Sequence, residues 1–587
     1  MTGPAKWRRW RGWPDVLAVC GYLVLAGYVT ERMWRFLDRY LLQTNTTDQI
    51  QFEYFLVHAV RVVTHGENPF YTTTMNHPSG VNLMANTATL GLHLPLVPVT
   101  MLFGPQVSFA VMVTGALAGT AAAWYWLFSR HLVGSRFAAF VAGGFCGFAP
   151  GMVSQADGHP NIAAQFLVPI IVWRVLRLRE PGHALRNGLL LGLLVTYQAF
   201  INEEILLLTA LAAGLFVGVC ALHDKAAARS ALPAFLRALG VAGLVALALL
   251  AYPLWFQFFG PQHYRGQWAG AVRYGTDVLS FTGFSRASFS GYPASAARLS
   301  PNPSEQNAFL GWPLLVLVVF LAYHYRDRVV VRAALVAGLT MTVLSLGPRL
   351  QIHGKHTHWP GPFAPLYHLP VFDSVIATRL VLCLIPVLGL LLALYLHDAM
   401  TAISGGRAQV WSSRLVALGL VVAALLPVAP TPLPVSARPP VPGFFASDRW
   451  RAYVPPGSSV VTVPVAGLLD GMDGMRWSVR RNLEIPLAGG YFLGPDGSGR
   501  GMFGAPKRRF TALVDEVTVS KGKVPAMTDA DRAAVREDLR FWKAAIVVMP
   551  PLRQYQEQMR TVAVTLLGFE PQWIDGVWVW DVRPMSG

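Results

Sequence analysis

Charge is what this sequence has least of. Only 13% of its 587 residues are Asp, Glu, Lys or Arg, against about 25% in ordinary soluble domains. That deficit excludes a disordered chain, which relies on charge to stay solvated, and a soluble enzyme. Carboxylates are the scarcer sign, 31 against 48 basic residues. Cysteine is nearly absent: Cys20, Cys146, Cys220 and Cys383 each sit inside an apolar run, without metal-ligand spacing, so no disulfide framework is implied. What is abundant is apolar sequence, 53% of the chain, with a mean hydropathy of +0.41. Runs of roughly 18 or more apolar residues recur over the first three quarters, each long enough to cross a hydrocarbon core about 30 Å thick. The fold class is a polytopic α-helical membrane protein.

A net charge of +17 invites a nucleic-acid reading, but the basic residues fall mostly in short loops between apolar segments, the positive-inside pattern of membrane insertion. No nucleic-acid-binding signature accompanies them. About 11 spans are expected, at 14–36, 106–129, 136–154, 161–178, 186–201, 203–222, 235–257, 308–325, 330–347, 376–397 and 413–430. With the amino terminus inside (Lys6, Arg8, Arg9, Arg11), the loops holding Arg130 and Arg136, Arg174 to Arg186, Lys225 to Arg237, Arg326 to Arg332, and Arg407 with Arg414 all fall on the cytoplasmic side. The first apolar stretch lacks the small-residue site that ends a signal peptide and is expected to stay as a membrane helix. The segment 90–104, interrupted by Pro95 and Pro98, is expected to be re-entrant or interfacial, since a full span there would invert every later loop.

Under this topology the polar residues hardest to explain share the outer side. The first external loop, 37–105, contains an amphipathic helical stretch at 50–63 suited to the interface plane. Asp48 stands just before it, as a helix cap or as a functional carboxylate. Asp157-Gly158-His159-Pro160-Asn161 joins the third and fourth spans. Asn202-Glu203-Glu204 joins the fifth and sixth. Adjacent carboxylates at membrane depth are costly, about 3 kcal/mol per charge even on lenient scales, and capping explains one of them more readily than two. Arg379 opens the tenth span on the side where insertion does not favour positive charge. It is either a snorkelling cation or a bidentate phosphate clamp. The outer loop 258–307 is long enough to be a lid or binding element. In 348–375, His353, His356 and His358 have a spacing compatible with zinc, but no acidic or cysteine partner is nearby.

Residues 1–430 form the expected membrane domain, 431–445 a Pro-rich linker, and 446–587 an extracytoplasmic α/β domain. Val460 to Val465 reads as a buried strand. Thr528-Asp529-Ala530-Asp531 caps a helix running to about Lys543, a strand follows at Ala544 to Val548, and Asp575-Gly576 marks a hairpin. Trp477, Tyr491, Phe492, Trp573, Trp578 and Trp580 suit core packing, with Tyr491 in its Gly-rich loop the best candidate for stacking on a sugar.

Several stretches resemble one group of bacterial membrane proteins of the GT-C glycosyltransferase type. They are TTDQIQFEYFLVHAVR, NPFYTTTMNHPSGVNLMANTATLGLHLPLVP, DGHPNIAAQFLVPI, QAFINEEILLLTAL, SEQNAFLGWPLL, SLGPRLQIHG, LPVFDSVIATRLVL and, in the tail, GGYFLGPDG. The resemblance implies a hexosyl- or pentosyltransferase of the cell membrane. It would use a polyprenyl-phosphate sugar donor, an extracytoplasmic glycan, lipid or protein acceptor, and contact with membrane lipid. It further implies Asp48 as general base, Arg379 and His159 on the donor phosphate, and Glu203, Glu204, Asn76, His77 and Tyr491 as sugar or acceptor contacts. No cofactor is required, although a divalent cation held by Asp48 with Glu53 or Glu203 is an open possibility. Two other functions stay open: a lipid-linked glycan transporter or flippase, for which midplane polar residues and inverted repeats are expected but not evident, and a non-catalytic membrane scaffold for cell-envelope assembly.

Overall fold

The computed structural model describes residues 12–87, 89–266, 268–402, 407–467 and 471–586. Lys6, Arg8, Arg9 and Arg11, on which the inside placement of the amino terminus rests, lie outside them. The chain is mostly helical, as its apolar runs require. Among the described residues five helices are long and apolar enough to cross a membrane: Pro105–His131, Glu203–His223, Lys225–Phe259, Ala377–Thr401 and Gln409–Val428. A sixth results if Arg136–Phe148 and Pro150–Ala156, bent by 44°, count as one span. The bend has a local cause: Ala149 precedes a proline and is extended, with ψ 152, because the Pro150 ring disfavours helical geometry at the residue before it.

The remaining expected spans are shorter. Trp13–Val29, Trp312–His324 and Val329–Ser345 are apolar helices below full length. The segments expected at 161–178 and 186–201 become Val168–Arg177 and Ala184–Ala199; the first starts at a proline-bearing turn and closes on Arg174 and Arg177. The 90–104 stretch divides into Leu90–His93, Leu94–Leu96 and Val97–Phe103. At 1.5 Å per residue it is about 21 Å long, short of a bilayer core.

Two compact units divide the chain. One comprises Met1–Asn45, Ala110–Leu250 and Gly270–Ser436. Its helices pack closely through small residues: a Cβ at Gly147 would sit 2.8 Å from Leu117 O and from Ala121 N of the neighbouring helix, an approach only glycine permits. Within the same unit Asp15 is fully buried and pairs with Arg130 at 2.5 Å and Arg136 at 3.4 Å, so these two arginines neutralise a carboxylate rather than only marking a loop.

The other unit comprises Thr46–Phe109, Ala251–Ala269 and Ala437–Gly587. Residues 46–109 thus group with the tail and not with the residues preceding and following them in the chain. Its sheet orders Gln572–Ile574, Val577–Asp581, Ala544–Met549 and Ser459–Thr462, with the first two pairings antiparallel and the last parallel. Helices Arg509–Val519, Asp529–Trp542 and Gln556–Leu567 bury Phe510, Leu513, Val535, Leu539 and Val562 against Val461, Val547 and Trp580. Thr528 and Asp531 form a reciprocal capping box. Asp575 and Gly576 both take positive φ, as a two-residue hairpin turn demands.

Candidate functional site

In the unit that carries the tail, the helix begins at Thr46 and runs to His65. Asp48 is therefore in its first turn rather than ahead of it as a cap, and the partial positive charge of the helix start favours its carboxylate. Tyr491 Oη donates to Asp48 Oδ1 at 2.7 Å, and Gln51 Nε2 donates back to the Tyr491 carbonyl at 3.1 Å. Two stretches far apart in the chain are joined here. Asn76 N–H donates to Gly489 O at 3.1 Å, His77 N–H to Leu487 O at 2.9 Å, and Leu487 N–H to Thr74 O at 3.0 Å. Asn86 completes the join by donating to Leu493 O at 2.7 Å and accepting from Leu493 N at 2.6 Å.

Several expected contacts are taken up by the protein itself. The Tyr491 ring lies against Phe503, 5.5 Å between centroids at 14°, and the residue is only 7% exposed. Its hydroxyl serves Asp48, and its ring is not open to stack on a sugar. The Asn76 amide closes its own turn, donating to Gly80 O at 2.8 Å. His77 Nδ1 pairs with Thr73 O at 3.2 Å. Glu53 does not face solvent: it is buried, receives Arg438 Nη1 at 2.8 Å and Nη2 at 2.5 Å, and accepts from Gln49 at 2.9 Å. With a guanidinium across both oxygens, Glu53 does not suit a divalent cation beside Asp48. Among the described residues no three His, Cys, Asp or Glu side chains gather as a metal site.

The other unit holds a continuous buried polar network. Asn202 caps the helix Glu203–His223, accepting from Ile205 N at 2.8 Å, which leaves Glu203 and Glu204 in a first turn that favours anions. Glu204 accepts from Ile376 N at 2.9 Å and from Arg379 Nη1 at 2.6 Å. Arg379 Nε and Nη2 donate to Glu305 Oε1 at 3.0 and 2.7 Å. Expected as a phosphate clamp, Arg379 instead lies between two carboxylates, so its charge is already more than balanced. Glu305 Oε2 accepts from Thr378 at 2.7 Å, Asn307 at 2.9 Å and Gln155 at 3.3 Å. Burial alone would raise the Glu305 carboxyl; the charge of Arg379 and the hydrogen bonds outweigh burial and hold it below its ordinary value.

Next to this network stands the turn after Pro150–Ala156. Asp157 is 2% exposed. It accepts from the Thr44 hydroxyl on Oδ2, while Oδ1 has no hydrogen-bond partner among the described residues. Burial pushes its carboxyl up to about 7, against the opposing pull of Thr44, Arg286 and His159. A Cβ at Gly158, which has φ +138, would fall 2.0 Å from Asn45 Nδ2, so only glycine fits there. The Asn45 amide in turn reaches Ser304 Oγ at 3.3 Å. His159 Nδ1 lies 3.0 Å from Gln155 Oε1.

The sequence pointed to Glu204 and Arg379, and the structure puts them together. It did not single out Asp157 or Glu305. Both lie in motifs quoted above, DGHPN and SEQNAFL, and the available signal was a carboxylate inside otherwise apolar or amide-rich surroundings.

The fold agrees with this placement of polar residues on a membrane-embedded scaffold. It is similar to the apo oligosaccharyltransferase of Archaeoglobus fulgidus, with a TM-score of 0.51 at 11% identity over 98% of this chain and 73% of that one. The oligosaccharyltransferase AglB of the same organism, in complex with an inhibitory peptide and a dolichol-phosphate, aligns with a TM-score of 0.47 at 11% identity, over 97% and 74%. ArnT from Cupriavidus metallidurans in the apo state aligns with 0.44 at 12%, over 97% and 98%. No curated protein matches the sequence. The likeness is one of fold, and with the long apolar helices it fits a polytopic membrane protein. The chain belongs to the family described as Domain of unknown function (DUF6311), which matches residues 66–374, just over half of its length.

Proposed function

We propose that the protein is a cell-membrane glycosyltransferase that moves a sugar from a polyprenyl-phosphate donor to an extracytoplasmic glycan, lipid or protein acceptor. Its tail would face the same compartment as the acceptor. The observation that carries this reading is the fixed Asp48 carboxylate, at a helix start, oriented by Tyr491 from the Gly-rich loop. Transfer to a hydroxyl needs a base for its proton, donors for the leaving phosphate, and a site closed to water. Asp48 supplies the base. Glu203 is retained as a contact for sugar hydroxyls. Glu204 and Arg379 are assigned to holding Glu305, since their polar atoms are engaged with one another. No step is routed through a metal ion.

A second assignment of the base is favoured by a specific observation. Asp157 has an unpartnered buried oxygen and a carboxyl raised to about 7, near the value that makes a general base efficient at neutral pH. One experiment separates the two. Membranes containing wild type, Asp48→Asn or Asp157→Asn are supplied with polyprenyl-phosphate sugars and envelope acceptors, and transfer is measured. Loss of a base costs on the order of 100- to 10,000-fold. Near-wild-type transfer by Asp48→Asn removes Asp48 from the role, and a selective loss in Asp157→Asn moves it there.

A further inference from the structure

The buried network in the unit holding Glu305 has a direction, and that direction ends on a ring nitrogen. An ionised carboxylate accepts hydrogen bonds and donates none. Glu305, held ionised against Arg379, therefore obliges the Asn307 group at 2.9 Å to be the NH₂ end of its amide. Asn307 Oδ1 is then turned to Gln155, whose Nε2 donates to it at 2.8 Å and to Glu305 at 3.3 Å. With its NH₂ end committed twice, Gln155 can offer only Oε1 to His159 Nδ1, 3.0 Å away. An amide oxygen accepts and cannot donate, so Nδ1 must carry the hydrogen.

We infer that Glu305, Asn307 and Gln155 are positioning residues that fix His159 as the Nδ1–H tautomer, making Nε2 the nitrogen that accepts a hydrogen bond. In the neutral ring Nε2 holds the lone pair, so the group it receives is an O–H or N–H donor and not the phosphate oxygen expected from the sequence. The tautomer follows from this unit's geometry alone; naming the donor as an acceptor-substrate hydroxyl rests on the transferase reading.

The test reads the ring directly. The full chain, labelled with ¹⁵N-histidine and held in detergent or nanodiscs, is titrated by NMR, and His159→Asn identifies the His159 signals by their loss. At alkaline pH the wild-type ring is expected to show a one-bond proton coupling at Nδ1 and none at Nε2. In Gln155→Met, which keeps the side-chain length but removes the accepting oxygen, the coupling is expected to shift wholly or partly to Nε2. A wild-type ring protonated at Nε2 overturns the inference, as does a Gln155→Met spectrum unchanged from wild type. If Gln155→Met does not fold, the wild-type spectrum decides alone. Because the readout is not turnover, it settles the tautomer whether or not the chain transfers sugar, and a failed transfer assay counts only against the transferase reading.

Discussion

Replacing Asp157 by Asn isolates the cost of keeping an acid in an apolar setting. Asp157 is buried, and its carboxyl is raised from the ordinary 3.8 to about 7. Asparagine has the shape of the protonated acid and can keep the contact with the Thr44 hydroxyl. A carboxyl whose folded value lies above its unfolded value contributes its full stability only below the unfolded value, near 3.8. That contribution is lost as pH rises to the folded value near 7, where the folded chain must also ionise. Each pH unit in that window is worth about 1.4 kcal/mol. Between pH 5.5 and 8.5 the wild type should thus lose about 2 kcal/mol that Asp157→Asn does not lose. The assay is thermal or denaturant unfolding of both proteins in the same detergent at the two pH values. The variant should be more stable than wild type, and by a wider margin at pH 8.5. A margin that does not change with pH would refute the reasoning, because it would mean that the carboxyl ionises in the folded chain as easily as in water.

Two further perturbations test other parts of the structure. Arg379→Leu leaves the buried Glu305 and the partly buried Glu204 without their shared cation and should destabilise the chain by about 3–5 kcal/mol; adding Glu305→Gln should recover part of that loss in the same unfolding assay. Thr528→Ala removes one half of the capping box on Asp529–Trp542 and should cost about 1 kcal/mol, read as a lower unfolding midpoint for the tail.

What the sequence disclosed follows the range over which the forces act. The Thr528 cap, the Asp575-Gly576 turn and the strand at Ala544 are local, set by residues within a few positions, and they were legible. The glutamates at 203 and 204 were legible as an anomaly because charge among apolar residues demands a partner. The partner itself was not: Arg379 is 175 residues from Glu204, and Arg438 is 385 residues from Glu53. Glu53 shows the consequence: it was weighed as a cation ligand beside Asp48, and the distant guanidinium is what explains its burial. Asp157 escaped for a similar reason. A D-G dipeptide reads as an exposed turn, and nothing nearby in sequence shows that Thr44 and Asn45 close over it. Tyr491 was singled out for its ring, whereas in the structure its hydroxyl makes the contact, donating to Asp48.

The Asn86 side chain behaves toward Leu493 as a length of backbone would, giving one hydrogen bond and taking another. That imitation depends on a single nitrogen. Hydrolysis of the amide to aspartate, a slow chemical change that alters mass by one dalton, would leave two oxygens facing a carbonyl that needs a proton donor. One edge of the seam would then repel where it had gripped. The coupling of the Gly-rich loop to the segment around Asn86 therefore has a chemical clock built into it, and an aged sample would lose that seam before the hydrophobic core of the tail began to loosen.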